Sequence, residues 1–208
     1  MKELVIIGAG GMGRSFFDLA KGSIGYNIDF IIMGFIDDDI EALSDYENYP
    51  PLLGTIRDYE PRPNDVFISS IGGESRITCC EIIAARGGRF INLIHSTARV
   101  GTNVVIGKGN LIGAYVALGA DSQVGNYNMI QSYSVIGHDT IIYNFVRIDT
   151  HVVCVGGVQI YDMAKIHSNS VINHNVVINS GACVGAQSFV IRSVPNDTTV
   201  FGSPAKKI

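Results

Sequence analysis

From Val100 to Val190 an aliphatic residue stands at every sixth position, sixteen positions in all, with Cys154 the single exception. Two residues ahead of these runs a second series, Val104 to Ser188, made of Val, Ser, Ala or Thr except at Asn110 and Asn128. No α-helix carries this pattern, because a six-residue period does not match its 3.6-residue turn. On a strand, positions two apart face the same side. Each hexad therefore reads as a short strand with one large and one small inward side chain, the small one near a corner where space narrows. Glycine follows the aliphatic residue at 101, 107, 113, 119, 125, 137 and 185. Gly and Asn are expected to supply the unusual backbone dihedrals of the corners. The register never slips, so no long loop leaves the stack.

The first half has a different grammar. ELVIIG is an apolar, buried strand, and AGGMGRSFFDLAKG a turn and a helix ending near Gly22. FIIMGFID and DVFISSIG are two further strands, and ESRITCCEIIAARGG is a helix closed by Gly87 and Gly88. RFINLIH is a short fourth strand leading into the hexads. Strands alternating with helices imply a parallel sheet with helices on its faces. The expected organisation is a small Rossmann-like α/β domain over 1–95 and a hexad domain over 96–208.

Residues 8–13, GAGGMG, match G-x-G-x-x-G between a strand and a helix. Gly8 would allow the tight turn, Gly10 a close backbone approach to phosphate, and Gly13 the packing of helix on sheet. The helix N-terminus favours an anion. Asp37, at the end of the second strand, is placed to accept a ribose or base hydrogen bond. Three readings stay open: a nucleotide or nucleotide-sugar phosphate, a tight turn with no ligand, and NAD. For NAD, about 95 residues and four strands are short of the six-stranded dinucleotide fold. SSIGGESR, 69–76, is a second loop at the carboxyl end of a strand, which makes Ile71, Gly72 and Arg76 candidates for the same ligand.

Composition narrows the classes. The 208 residues are 47% hydrophobic and 16% charged, enough for a substantial core. A net charge of −4 argues against general nucleic-acid binding. Cys79, Cys80, Cys154 and Cys183 have no metal-ligand spacing and point to a reducing compartment. No stretch approaches the ~20 apolar residues of a membrane span, and the N-terminus lacks a signal-peptide core. A cytoplasmic protein is expected.

The hexads resemble the left-handed parallel β-helix of hexapeptide-repeat acyltransferases, and FGSPAKKI resembles the end of such domains. In that family three hexads close one triangular coil, so five coils are implied here. The whole chain is similar to the NeuD/PglD family of bacterial sugar acetyltransferases, through IIGAGGMG, GFIDDD, SSIGGESR, SVIGHDTIIYNFVRI and FGSPAKKI. The resemblance implies acetyl transfer from acetyl-CoA to the amino group of a UDP-amino-sugar, in surface glycan synthesis. It implies a homotrimer with acetyl-CoA bound between subunits, and no metal. It makes His138 the general base and Asp139 its acidic partner. Gly156 and Lys206 would meet the CoA, and so would Arg147, which stands where the family usually has His. Gly8, Gly10, Gly11, Met12, Asp37, Asp38, Ile71 and Gly72 would bind the acceptor.

Of the other histidines, His95 reads as structural, and His167 as a turn cap. His151 could line a CoA groove. His174 shares the hexad position of His138 two coils on, roughly 10 Å away at ~4.8 Å per strand step, but is followed by Asn175 rather than an acid. No pair has zinc-ligand spacing. Two rival readings are an O-acetyltransferase acting on sialic acid or another sugar, and a non-catalytic hexapeptide-repeat assembly protein.

Overall fold

The computed structural model describes all residues, 1–208. The chain forms two compact units, Met1–Leu93 and Ile94–Ile208. The first is an α/β unit. Its strands β1 (Lys2–Ile7), β2 (Phe30–Ile36), β3 (Asp65–Ser69) and β4 (Arg89–Phe90) form one parallel sheet in the order β2-β1-β3-β4. Leu4, Val5, Ile6 and Ile7 are fully buried in the central strand, as an apolar run covered on both faces requires. Helix α1 (Gly11–Lys21) packs through Gly13, Phe16 and Ala20. Helix α2 (Ser75–Ala85) buries Cys80 and Ile83. Gly87, at φ 83, ends it in the left-handed region. The segment expected as one fourth strand is split. Arg89–Phe90 completes this sheet, and Leu93–Ile94 forms the edge of the sheet that contains Leu111–Ile112.

The second unit is a left-handed β-helix of two-residue strands, each paired in parallel with the strand 18 residues on. Three sheets result. The first face stacks Val105–Ile106, Gln123–Val124, Ile141–Ile142, Gln159–Ile160 and Val177–Ile178. The second contains Leu111–Ile112, Met129–Ile130, Arg147–Ile148, Lys165–Ile166 and Cys183–Val184. The third runs from Arg99–Val100 to Phe189–Val190. Both hexad series point inward. Ile130, Ile148, Ile166 and Ile178 are fully buried, and so are Val146, Ser134 and Thr140 of the small series. At the far end Thr199–Phe201 adds to the second face, and Lys206–Lys207 turns back antiparallel on it.

The corners follow the sequence expectation only in part. Every sixth residue from Asn103 to Gln187 lies in the left-handed region, with φ from 56 to 72; Asn103, Gly109, Gly157, Asn169, Asn175 and Gly181 are the expected Gly or Asn, and the rest are other residues. The glycines that follow the aliphatic series have ordinary backbone and answer a packing demand instead. A Cβ at Gly119 would lie 2.5 Å from the His138 amide nitrogen, and one at Gly137 2.6 Å from that of Gly156.

Candidate active site

His138 and Asp139 turn the corner between the strands Val135–Ile136 and Ile141–Ile142. The neighbouring coils fix their backbone: the Asp139 N–H donates to the Ala120 carbonyl, and the Gly157 N–H to the His138 carbonyl. Asp139 is the left-handed residue of its hexad, φ 57. Its carboxylate meets the preceding imidazole, with Nδ1 2.6 Å from Asp139 Oδ2. A carboxylate only accepts, so Nδ1–H donates and Nε2 is the nitrogen left free. Both side chains are about two-thirds exposed, 63% and 64%.

The free nitrogen points along the corner. Residues 18 apart stack here, so Gly156 follows His138 and His174 follows Gly156. Any β-carbon at Gly156 would collide with Nε2, Cε1 and Cδ2 of His138. Gly156 is buried under that ring, so its visible task is to make room for the imidazole. The rings of His138 and His174 stand 6.2 Å apart between centroids, inclined at 53°. That is closer than the roughly 10 Å that backbone rise alone implies, because the empty position between them lets the rings converge.

A second polar cluster occupies the second face. Asp149, 6% exposed, accepts from three side chains. Arg147 Nε donates to Oδ1 at 2.6 Å, Gln131 Nε2 to Oδ1 at 2.8 Å, and His167 Nδ1 to Oδ2 at 2.9 Å. A buried carboxylate needs such compensation. His167 is thus a partner of Asp149 rather than a turn cap. Asp149 and Gln131 were missed in sequence, although 131, 149 and 167 are spaced by one coil. Arg147 belongs to the second face, and the His138 corner joins the third face to the first. Within one chain, therefore, the sheets put His138 and Arg147 on different sides. Lys206 is exposed on the last strand. His151 caps a row of rings with Tyr115 and Tyr133, each 5.0 Å from the next. His95 Nδ1 bonds Thr97 Oγ1 at 2.8 Å.

Cys154 is fully enclosed in the β-helix core, and burial pushes its thiol up to about 12, which leaves it inert. No group of three or more His, Cys, Asp or Glu is placed to hold a metal ion. No helix is long and apolar enough to cross a membrane.

In the first unit the glycine loop has the geometry its spacing suggests. Gly8, φ 98, has no room for a side chain against Ser70 and Ile71, and a Cβ at Gly13 would strike the Gly8 carbonyl. Gly10 is open, with nothing within 4 Å of its Cβ position. It begins α1 with no side-chain cap, which leaves the first-turn N–H groups of Gly11 and Met12 for an anion. Asp37 differs from expectation. Its Oδ2 accepts from the Ala9 N–H at 2.7 Å and its Oδ1 from the Asp39 N–H at 3.0 Å. Asp38 likewise accepts from the N–H of Ile56 and from Arg57 Nε, at 3.0 and 3.1 Å. Both aspartates tie loops around the site. Ile71 abuts Gly8, and Gly72 is exposed beside it. Arg76, by contrast, is buried in α2, 3% exposed, and does not face a ligand at the surface.

Residues 3–76 match the PglD N-terminal domain, and residues 103–138 match the bacterial transferase hexapeptide repeat. The acetyltransferase domain of PglB from Neisseria gonorrhoeae superposes with a TM-score of 0.90 at 25% identity, over 100% of both chains. In both halves the chain is thus similar to sugar acetyltransferases of the NeuD/PglD type. The same PglB domain, in complex with acetyl coenzyme A, gives a TM-score of 0.89 at 26% identity over 100% of this chain and 99% of that one. Two further solved structures share the fold. A histidine-to-asparagine variant of perosamine N-acetyltransferase from Caulobacter crescentus, in complex with CoA and GDP-perosamine, has a TM-score of 0.89, 23% identity and coverage of 100% and 97%. WeeI from Acinetobacter baumannii has a TM-score of 0.88, 24% identity and coverage of 100% of both chains. No curated protein sequence matches.

Proposed function

We propose that this protein transfers the acetyl group of acetyl-CoA to the amino group of a UDP-amino-sugar used in surface glycan synthesis, with His138 as general base. The observation that carries the reading is the exposed His138–Asp139 pair, held at 2.6 Å on a pinned corner with Nε2 free. As the amine attacks the thioester carbonyl, His138 Nε2 takes a proton from it. Asp139 holds the ring in the tautomer that can do so. When the tetrahedral adduct collapses, the same proton goes to the departing sulfur. Such base catalysis is worth about 10²–10⁴ in rate. His138→Ala is therefore expected to lower kcat by that order while the binding of both substrates stays close to wild type. Wild-type turnover in this variant would remove His138 from the role.

Arg147, Gly156 and Lys206 are assigned to the CoA side, and Gly8, Gly10, Gly11, Met12, Asp37, Asp38, Ile71 and Gly72 to the acceptor side. Arg147 lies on a different face from the His138 corner, so a centre using both draws them from two copies of the chain. A homotrimer meets that need. The outward side chains of the third face support it: Ala117, Val135, Val153, Val171 and Phe189 form an apolar strip, with Val135 43% and Phe189 38% exposed. This strip is more apolar than the first face, where Ile141 alternates with Gln123 and Gln159.

CoA release from acetyl-CoA is the test, with UDP- and GDP-linked amino sugars set against free sialic acids. Turnover with the UDP-linked amine supports the reading. GDP-linked turnover alone changes the nucleotide, consistent with what the perosamine enzyme binds. Turnover with free sialic acid alone moves the chain to O-acetylation.

A further inference from the structure

We propose that His174 takes the first of the two protons that the acceptor's amino group must lose, leaving the second to His138. This rests on the amine-acetylation reading above. Near neutral pH an aliphatic amino group is largely ammonium and has no lone pair for attack. The overall change is R–NH3+ plus acetyl-S-CoA giving R–NH–acetyl, HS-CoA and one H+. Two protons leave nitrogen as the C–N bond forms and the C–S bond breaks. One passes through His138 to sulfur. The other has to reach solvent before attack begins, and His138 cannot hold both at once.

The second imidazole is where that proton would go. His174 and His138 face each other across Gly156, with centroids 6.2 Å apart. A nitrogen atom hydrogen-bonded to a ring nitrogen of each, at about 2.9 Å per bond, fits between them. Any side chain at Gly156 would displace the His138 ring that forms one wall of this gap. The two rings are differently equipped. His138 commits Nδ1 to Asp139, which keeps one tautomer facing the gap. His174 is exposed and its ring makes no hydrogen bond within the chain. It is free to accept on one nitrogen and release to water from the other. The remaining titratable or charged groups on this corner are Asp139, Asp121, which accepts from Asn103, and Arg192 one coil beyond His174.

The experiment is the pH dependence of kcat/KM for a nucleotide-linked amino sugar, followed by CoA release, in wild type and His174→Asn. In the variant only acceptor already deprotonated in solution reacts. Its kcat/KM is expected to fall by about 10²-fold or more at pH below the ammonium pKa, the low end of a general-base effect, and to return toward wild type above it. Free imidazole in the buffer is expected to restore part of the low-pH activity, while KM for acetyl-CoA and the melting temperature stay unchanged. A variant profile that overlays wild type overturns the proposal. So does an equal loss at every pH, which marks a structural role. If wild type acetylates only hydroxyl acceptors, the amine reading fails on the wild type alone, and the role of His174 falls with it.

Discussion

At Gly156 one hydrogen in place of a methyl group decides where the His138 ring can lie. The backbone there is not in the left-handed region, so alanine is conformationally acceptable and the conflict is confined to the His138 imidazole. Gly156→Ala is expected to fold normally, with a melting temperature near wild type, and to lose about 10²-fold or more in kcat as the ring is displaced, the scale of a lost general base. Circular dichroism with steady-state kinetics checks both halves. Unchanged kcat would mean the ring position does not matter. The His138–Asp139 pair was legible in sequence because the two residues are adjacent and follow an aliphatic hexad position. His174 was legible as a residue on the same edge two coils on, but its lack of an acidic neighbour gave it no role in sequence. What the sequence did not show is the convergence of the two rings over Gly156 to 6.2 Å between centroids. Asp149 was invisible because its contacts with Gln131 and His167 form only between stacked coils.

Among the elements, the left-handed corners show how a side chain can offset backbone strain. A non-glycine residue in this region costs about 1–2 kcal/mol. Where the corner residue is aromatic, stacking returns about 0.5–1.5 kcal/mol: Tyr127 lies on Phe145 at 4.8 Å and Tyr115 on Tyr133 at 5.0 Å. The two exceptions in the small inward series have a comparable explanation. Asn128 is buried, donates to the Tyr143 carbonyl at 2.7 Å, and accepts from the Val146 N–H at 2.8 Å. Asn128→Ala strands both backbone groups and is expected to destabilise the β-helix by about 1–3 kcal/mol or more, read by denaturant unfolding. In the first unit, Tyr59 is buried and donates to Asp65 at 2.8 Å. Burial first, and then that hydrogen bond, raise its phenol well above the ordinary value. The neutral phenol is therefore favoured in the fold. Its contribution is full below the unfolded value of about 10 and is lost as pH rises beyond it. Melting temperature is expected to fall above about pH 10 more steeply in wild type than in Tyr59→Phe.

For the molecule as a whole, the two grammars of the sequence became two units with separate cores. The prism was readable because a fixed period survives any local noise, and the glycine loop because Gly8 and Gly13 answer the steric demands of turn and helix packing while Gly10 stays open. The loop-tying role of Asp37 and Asp38 was not readable, because it depends on where Ala9, Ile56 and Arg57 return in space. Assembly is the property this scale predicts. Light scattering is expected to give three times the 22.4 kDa chain mass. Val153→Asp, a charge in the middle of the apolar third face, is expected to shift the population to monomer and abolish turnover. A fully active monomer would contradict a centre shared between copies.

The eighteen-residue coil also makes this half of the chain a counting device. Adding or removing one whole coil returns every side chain to its own face. Six residues more or fewer carry each one a third of the way round, and other lengths turn core residues out to water. Height is therefore free to vary in whole steps, while azimuth is not. What the sequence has to preserve around the reactive corner is a difference of positions: two coils from His138 to His174, with a glycine at the midpoint.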